Sequence, residues 1–296
     1  ELTFGENAGP GQTVTNVYTF TNNGTITNSG KLKVNGNLTN NLGATIANIG
    51  KLEVGFEAGP GGGTVPDCTF TNSGSLQNAQ NTSNETGVIK IKGTFDNTNG
   101  TVANYFGKIT LNSDFDLNKG TYTEVGILSF EGKKDSIPTI EFTPKADTTL
   151  MQIEAKNVQL KIHGNTDIYN FINDNAIVEI PTGSNVSIQN YSPFIPTEGP
   201  DAGQPREKND LIIYEGATVD IKNNVTITNL TVQTSTADSD FAYIITKNLS
   251  VTNATYNTAD IKTKGNITLP ETTETTNEIH NLEIDSGNLT IPNLIA

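Results

Sequence analysis

The sequence FTNNGTITNSGKLKV at residues 20–34 is the first of four related segments that decide the fold. The others are LTNNLGATIANIGKLEV at 38–54, FDNTNGTVANYFGKITL at 95–111 and FDLNKGTYTEVGILSF at 115–130. Each segment opens on an apolar residue, continues through polar residues and a glycine, and ends in a short run of alternating apolar residues. Because one such unit cannot bury its apolar face alone, the repeat predicts a stack of coils.

The apolar positions of the four segments define three interior rows. We expect the first to contain Phe20, Leu38, Phe95 and Phe115, the second Ile26, Ile46, Val102 and Tyr122, and the third Leu32, Leu52, Ile109 and Leu128, followed two residues later by Val34, Val54, Leu111 and Phe130. A spacing of two residues places both members on one face of a strand. The sequence therefore predicts strands that stack with equivalent residues in register.

The residues between these strands are typical of tight corners. Gly24, Gly43, Gly100 and Gly120 occupy equivalent positions, where we expect glycine to accept a positive φ. Asparagine tolerates the same left-handed region, so the Asn-Gly richness indicates turns repeated coil after coil. Asparagines in register on successive coils are also expected to stack as amide ladders, as they do in cross-β assemblies.

A second, longer repeat relates residues 5–28 to residues 55–78, which align without gaps after a shift of fifty. It matches Phe20 with Phe70 and Gly24 with Gly74. The AGPG segments at 8–11 and 58–61 are expected to be loops that leave the same corner of two coils. A longer coil is expected at residues 70–93.

These patterns predict an all-β fold, a single-stranded right-handed parallel β-helix (β-solenoid) with coils of about 18–25 residues. Residues 1–132 are expected to form the regular repeats, and residues 133–296 to continue the β-helix with irregular coils. The Pro- and Gly-rich segment 192–210 is the longest interruption, and we expect it to be a long loop.

The composition excludes several classes of protein. The net charge of −14 disfavours nucleic acid and anionic membrane surfaces as partners. Cys68 is the only cysteine, which excludes an intrachain disulfide, and we expect it to be a small buried residue at a coil corner. No segment reaches the roughly 18 apolar residues of a membrane span. Low cysteine, high threonine and asparagine and an acidic surface predict an extracellular protein or one on a bacterial cell surface.

The segment GTITNSGKLKV at residues 24–34 resembles the coils of bacterial surface β-helix proteins of the adhesin and autotransporter-passenger kind. The resemblance covers about the first 130 residues. It implies a secreted or displayed protein that acts as an adhesin or as a scaffold presenting a glycan-binding face. The residues that carry it are coil corners and core, so they specify architecture more than ligand.

Polysaccharide lyases and glycoside hydrolases of the β-helix type are the alternative. Polygalacturonase-like hydrolases carry N-T-D, D-D, G-H-G and R-I-K segments, of which only the first is found, at residues 165–167. We expect that segment to be a coil corner. The RxPxxR pattern of pectate lyases is missing, and Arg206 is the only arginine. The sequence therefore predicts no catalytic residue, while the enzyme hypothesis stays open.

Carboxylates on neighbouring coils can still form a catalytic pair that no linear motif reveals. Asp114 with Asp116, and Asp167 with Asp174, are the candidate pairs, although Asp114 and Asp116 flank Phe115 and favour an outward solvated face. The only two histidines, His163 and His280, are far apart in sequence and have no thiolate cluster beside them, so no metal site is predicted. No cofactor is predicted either.

The long loop carries the candidate ligand-binding residues. Carbohydrate sites on solenoids combine exposed aromatic rings with amides and carboxylates, and insertions from a rigid scaffold commonly carry function. The residues predicted on this basis are Tyr191, Phe194, Glu198, Asp201, Arg206, Asp210 and Tyr214. A glycan or a host or cell-surface protein is the predicted partner. For Phe194, anchoring of the loop onto the coils is the competing interpretation.

Overall fold

The protein is described by a computed structural model that covers residues 2–4, 17–56, 66–79, 87–133, 137–146, 148–195, 208–233, 242–257, 259–263, 266–268, 279–285 and 287–290. These residues form strands and turns without a helix, and the strands stack in parallel as a right-handed β-helix, which confirms the predicted fold class. The chain divides into two compact units, Glu1–Glu131 and Gly132–Ala296. Both AGPG segments lie outside the described residues.

The first unit is built from short strands separated by corners. They are β1 (Leu2–Phe4), β2 (Tyr18–Asn22), β3 (Thr25–Asn28), β4 (Lys31–Val34), β5 (Gly36–Asn40), β6 (Thr45–Asn48), β7 (Lys51–Val54), β8 (Thr69–Asn72), β9 (Ser75–Asn78), β10 (Val88–Ile91), β11 (Thr94–Asp96), β12 (Thr101–Leu111), β13 (Phe115–Asp116) and β14 (Thr121–Glu131). Each coil of β2 to β10 takes three strands, whereas β12 and β14 each run continuously through two of those three positions.

The second unit has longer strands. They are β15 (Thr139–Thr143), β16 (Thr149–Lys156), β17 (Gln159–Ile162), β18 (Asn165–Asp174), β19 (Ala176–Ile180), β20 (Asn185–Pro193), β21 (Asn209–Tyr214), β22 (Thr218–Gln233), β23 (Ala242–Asn257), β24 (Ala259–Thr263), β25 (Ile267–Thr268), β26 (Ile279–Ile284) and β27 (Leu289–Thr290). One stack runs β16–β18–β20–β22–β23, and another runs β15–β17–β19–β21 to the end of β22.

The register of the first unit confirms the predicted interior rows and adds the members from the longer coil. The rows are Phe20–Leu38–Phe70–Phe95, Ile26–Ile46–Leu76–Val102–Tyr122, Leu32–Leu52–Ile89–Ile109–Leu128 and Val34–Val54–Ile91–Leu111–Phe130. Phe115 continues the first row, with its ring centroid 6.0 Å from that of Phe95. Full burial of each such side chain contributes about 1.5–3 kcal/mol, so these rows supply most of the drive to stack.

Coil length varies while the register is kept. Register partners are 18 residues apart from Leu160 to Val178 and 25 residues apart from Val219 to Ile244. From Leu52 to Ile89 the separation is 37 residues, yet both side chains remain fully buried in the same row. The strands on either side of the extra residues therefore keep their register.

Two ladders of buried asparagines run through the corners of the first unit, as predicted. In one, Nδ2 donates to the Oδ1 of the next coil along Asn22, Asn40, Asn72 and Asn97, with distances of 2.8, 2.7 and 2.7 Å. In the other, the same bond joins Asn28, Asn48, Asn78 and Asn104 at 2.7, 2.8 and 2.8 Å. All eight side chains are buried. Each asparagine, or rung of the ladder, thus supplies the hydrogen-bond partner that the buried amide of the next rung requires.

In seven of the eight ladder asparagines, all except Asn97, the Nδ2 also donates to a backbone carbonyl at the adjoining corner. The Asn40 Nδ2 also donates to the carbonyl of Ser75 at 3.1 Å, and the Asn28 Nδ2 donates to that of Lys51 at 3.0 Å. At the first rung of one ladder, the Asn22 Oδ1 accepts from the backbone N–H of Gly24 at 3.1 Å. The asparagine side chain can therefore form hydrogen bonds with groups of its own coil and of the next one at the same time. This explains why asparagine recurs at this position.

The predicted reason for the corner glycines holds for only half of them. Gly43 and Gly120 have positive φ values of 81° and 85°, as expected, whereas Gly24 and Gly100 do not. A Cβ on Gly100 would lie 2.3 Å from the carbonyl oxygen of Asn72 and 2.4 Å from its Nδ2. Gly100 is therefore required by the close approach of the asparagine ladder, while a Cβ on Gly24 would meet open space.

In the second unit asparagine shares the left-handed corners with glycine. Asn157 and Asn175 have positive φ values of 51° and 62°, and the Asn175 Nδ2 donates to the Asn157 Oδ1 at 2.9 Å. Asn and Gly are the residues that populate this region most readily, so the substitution keeps the corner geometry. The same side chain adds a rung between coils that glycine cannot provide.

Replacing Asn40 with alanine tests the ladder. The change removes the acceptor of the Asn22 amide and the donor to the Asn72 Oδ1, and each buried group left without a partner costs about 1–3 kcal/mol. Asn41→Ala is the matched control, because the Asn41 side chain donates to the Asn23 Oδ1 at the exposed surface and is not part of the buried ladder. Urea unfolding should show a much larger decrease in the free energy of unfolding for Asn40→Ala than for Asn41→Ala. Equal decreases in the two variants would contradict the stabilising role of the ladder.

Candidate functional site

The predicted loop residues do not assemble into one site among the residues that the structure describes. Tyr191 is 2% exposed and lies inside the coil, so its ring is not on the surface. Phe194 is 38% exposed, and its backbone N–H donates to the carbonyl of Asn173 at 2.7 Å. Glu198, Asp201 and Arg206 lie outside the described residues. Their ligand-binding role remains a prediction.

Tyr191 is a rung of the buried polar ladder of the second unit. Its hydroxyl accepts from the Asn173 Nδ2 at 3.0 Å and donates to the Asn209 Oδ1 at 2.6 Å. Its ring stacks on that of Phe171, with centroids 5.5 Å apart and planes 4° apart. Burial raises the pKa of Tyr191 well above its ordinary value, so the hydroxyl keeps the proton that it donates. This aromatic residue therefore has a structural role that its sequence position beside a loop did not indicate.

Asp210 and Tyr214 lie at opposite ends of β21. Asp210 accepts at Oδ1 from the Asn229 Nδ2 at 2.6 Å, and burial raises the pKa of its carboxyl group. Burial also raises the pKa of Tyr214, and the nearby Glu179 carboxylate raises it further. Four residues of extended strand separate Asp210 and Tyr214 by about 13 Å, so the two side chains face different neighbours.

A polar groove of about 240 Å³ lies on the outward face of the second unit, at the ends of β16, β18, β20 and β22. Its lining residues are Thr148, Asn165, Thr166, Asp167, Asn185, Val186, Ser187, Thr218 and Asp220. Neighbouring coils bring these residues together because the strands are in register. One row is Asn165–Asn185–Thr218, and the row beside it is Asp167–Ser187–Asp220. The groove thus presents amides, hydroxyls and carboxylates in two parallel lines.

Two exposed tyrosines lie near this groove. Tyr169 follows Asp167 by two residues on β18 and is 55% exposed. Tyr243 is the register partner of Thr218 on β23 and is 40% exposed. Because alternate residues of a strand share a face, Tyr169 continues the same outward surface as Asp167. The groove is therefore lined by polar side chains, with one exposed tyrosine farther along β18 and another on the next coil, beyond Thr218.

Hydrogen bonds fix the polar side chains of the groove. The Asn185 Nδ2 donates to the Asn165 Oδ1 at 2.9 Å, so these amides form an outer ladder. Lys222 forms an ion pair with Asp220. The backbone beneath is held by bonds from the Gly164 N–H to the Ser184 hydroxyl at 3.0 Å and from the Thr218 N–H to the Ser184 carbonyl at 2.9 Å. A ligand therefore meets polar groups that are already oriented.

The structure replaces one predicted carboxylate pair with another. Asp167 and Asp174 are at opposite ends of β18, about 23 Å apart along the strand, and Asp174 lies 4.0 Å from the ammonium of Lys156. That pairing is therefore wrong. Asp167 instead shares a row with Asp220, two strand spacings or about 9.6 Å away. Their separation of 53 positions in the chain gave no local signal for this pair.

The other sequence candidates are placed without forming a site. Asp116 accepts from both the backbone and the side-chain nitrogen of Asn118, at 2.9 and 3.0 Å, and Asp114 is exposed, as expected for a solvated corner. Cys68 is buried against Phe56, which confirms the expected role, and burial raises the pKa of its thiol. Among the described residues, no three His, Cys, Asp or Glu side chains are grouped to hold a metal ion.

Comparison with known proteins does not assign this chain to a family. No family model matches this sequence, and neither a curated protein nor a solved structure is found to be similar to it. Across the part of the chain that the structure describes, no helix is long and apolar enough to cross a membrane. The class of the protein is therefore defined by its coils, as a right-handed parallel β-helix with a polar groove on one face of the second unit.

Replacing Tyr191 with phenylalanine separates the structural role of its hydroxyl from a role in binding. The change leaves the Asn209 Oδ1 without its buried donor, so we expect a loss of about 1–3 kcal/mol in the free energy of unfolding. Tyr169→Phe is the control, because Tyr169 is exposed and its substitution should change the free energy of unfolding little. Thermal or urea unfolding of both variants measures the difference. A Tyr191→Phe protein as stable as the control would contradict the ladder assignment.

Proposed function

We propose that this protein is a non-enzymatic, adhesin-like β-helix of the extracellular space or the bacterial cell surface, and that its polar groove binds a glycan. The observation that carries the proposal is the groove itself, with two rows of polar groups and with the exposed rings of Tyr169 and Tyr243 near two of its edges. The resemblance of residues 24–34 to the coils of surface β-helix proteins supports the location.

The chemistry of the groove suits sugar rings. A pyranose presents hydroxyl groups at its edge and C–H groups on its faces. Asparagine amides donate and accept, threonine and serine hydroxyls do both, and ionised aspartates accept, so the two rows can satisfy several sugar hydroxyls at once. The apolar faces of tyrosine rings provide area for the C–H faces, while their hydroxyls stay in water. A flat array of this kind fits a chain of sugars better than a compact metabolite.

The carboxylates favour a neutral glycan for this groove. Asp167 and Asp220 both lie in the central row, and one ion pair with Lys222 leaves the row with a net negative charge. Like charges brought together at a contact weaken binding. A uronate or a sulfated sugar would therefore be repelled, whereas the hydroxyl groups of a neutral sugar can donate hydrogen bonds to both carboxylates.

A β-helix polysaccharide hydrolase is the second candidate, because Asp167 and Asp220 face the same groove. Inverting glycosidases place their two carboxyl groups about 6.5–9.5 Å apart, close to the spacing of two strands. The groove has only these two carboxylates among its lining residues. Catalysis also requires an acid that protonates the leaving group, and Asp220 is already engaged by Lys222. These features favour binding over cleavage.

The proposal is tested with a panel of neutral plant, bacterial and host polysaccharides. Retardation in affinity gels measures binding, and new reducing ends in the same samples measure cleavage. We expect retardation without product. The double substitution Tyr169→Ala with Tyr243→Ala should weaken binding about tenfold or more, since each aromatic contact contributes about 0.5–1.5 kcal/mol beyond its buried area.

Phe106→Ala is the matched control, because Phe106 is 50% exposed and lies in the other unit. Its affinity for the same polysaccharide should equal that of the unchanged protein. Failure of every neutral polysaccharide to bind would refute the glycan proposal. Release of reducing ends that disappears in Asp167→Asn or Asp220→Asn would establish the hydrolase instead.

A further inference from the structure

Four asparagines of the second unit lie in line on successive coils, and we call them the C-terminal asparagine row. They are Asn224, Asn248, Asn266 and Asn288. Asn224 and Asn248 are register partners, and the Asn248 Nδ2 donates to the Asn224 Oδ1. The backbone N–H of Asn266 donates to the Asn248 Oδ1 at 2.6 Å, and that of Asn288 donates to the Asn266 Oδ1 at 2.8 Å. The four side chains therefore form one continuous row across the coils.

The two residues after each asparagine form two further rows. The first residue is apolar, and the second carries a hydroxyl group. The apolar row is Val225, Leu249, Ile267 and Leu289, and the hydroxyl row is Thr226, Ser250, Thr268 and Thr290. Both rows are in register from coil to coil. Each of the four coils thus repeats the pattern Asn-x-Ser/Thr, in which x is never proline.

The pattern coincides with exposure of the asparagine. Asn224, Asn266 and Asn288 are exposed, and Asn248 is half-buried. None of the eleven buried asparagines of the described chain has a serine or threonine two residues later; the ladder residue Asn40, for example, has Leu42 at that position. Among the asparagines whose burial is described, the pattern is therefore confined to side chains that reach solvent.

Strand alternation does not by itself explain the hydroxyl row. Alternation accounts for an inward apolar residue after each outward asparagine, and for an outward residue after that. The outward residue can be of any polar type, since the exposed Asn165 has Asp167 at the second position. All four coils of the C-terminal asparagine row have serine or threonine there. A hydroxyl residue at this position is the feature that marks an asparagine as an acceptor for N-glycosylation.

We propose that the C-terminal asparagine row is a set of N-glycosylation acceptors, to which a glycosyltransferase of the producing cell attaches short saccharides. The sugar donor is a diphosphate-activated saccharide. The asparagine Nδ2 forms a bond to the anomeric carbon and releases one proton, while the bond from that carbon to the diphosphate breaks and its electron pair leaves on the diphosphate oxygen. The acceptor role rests on the extracellular or surface location proposed above, and does not depend on the glycan-binding groove.

The hydrogen bonds of the row are compatible with this modification. A primary amide loses only one of its two hydrogens in the reaction, so a modified Asn248 can still donate to the Asn224 Oδ1. The Oδ1 atoms of Asn248 and Asn266, which accept from the backbone, take no part in the reaction. Neighbouring asparagines are one strand spacing, about 4.8 Å, apart. Branched glycans on all four would collide, so the row suits short unbranched saccharides or glycans on alternate coils.

Asn185 distinguishes the acceptor role from the function proposed for the groove. It has the same pattern, with Ser187 two residues later, but it lines the polar groove. A covalent sugar on Asn185 would occupy the place of the glycan that the groove is proposed to bind. We therefore limit the acceptor role to the C-terminal asparagine row, and expect Asn185 to be unmodified in protein whose groove is active.

The test is peptide mass spectrometry of the protein purified from the cells that naturally produce it. Fragmentation by electron transfer leaves sugars attached and so locates them on individual asparagines. We expect added sugar masses on at least two of Asn224, Asn248, Asn266 and Asn288. Asn165 is the matched control, because it is exposed but lacks the hydroxyl residue at the second position, and it should carry no sugar.

A pair of variants made in the same cells tests the hydroxyl row directly. Thr268→Ala removes the pattern and leaves Asn266 in place, whereas Thr268→Ser keeps the pattern. Sugar should be lost from Asn266 in the first variant and retained in the second. Ser250→Ala and Ser250→Thr make the same comparison at Asn248 if the alternate coils are the modified ones. Thr268 is exposed, so both of its variants should fold, which circular dichroism melts verify.

Three results would overturn the acceptor role. The first is an unmodified mass for three or more of the four asparagines, and the second is sugar on Asn165 to the same extent as on the row. The third is sugar retained beside the alanine in the Thr268 or Ser250 variant. Binding of neutral polysaccharides is measured separately, on protein made in a host that has no N-glycosylation, so failure of the groove function and failure of the acceptor role are distinguishable.

Discussion

The buried amide-to-amide hydrogen bond is the interaction on which the first unit depends. A polar corner can enter the interior of a solenoid only if its donors and acceptors find partners there, since an unpaired buried group costs more than a typical bond contributes. The ladder solves this by making each coil's corner the partner of the next. Apolar rows drive the stacking, and the ladders restrict it to one register.

Once the register is fixed, the outward surface follows without further constraint. Outward residues of successive strands form straight rows about 4.8 Å apart, whatever their chemistry. The same geometry therefore produces a row of aspartate, serine and aspartate in one unit and a facing pair of lysines, Lys31 and Lys51, in the other. Function in such a fold depends on which side chains occupy the outward positions, and the inward positions reveal little about it.

The sequence predicted the core better than the surface, for a physical reason. The rows through Phe20, Ile26 and Leu32 could be predicted because inward positions repeat the same chemistry in every coil. The groove was missed because its partners, such as Asp167 and Asp220, belong to coils that have no common motif. Tyr191 was misplaced because an aromatic residue beside a loop has the same local pattern whether its hydroxyl faces solvent or a buried Asn209.

The separation of 37 residues between Leu52 and Ile89 has an evolutionary consequence. A globular core rarely tolerates extra sequence, because any insertion displaces packed neighbours on several sides. Here the strands before and after the added residues keep their partners, and loop-closure entropy grows only slowly with length. Each corner is therefore a place where a lineage can gain or lose a whole segment in one step. New recognition surfaces can then arise without any compensating change in the coils beneath.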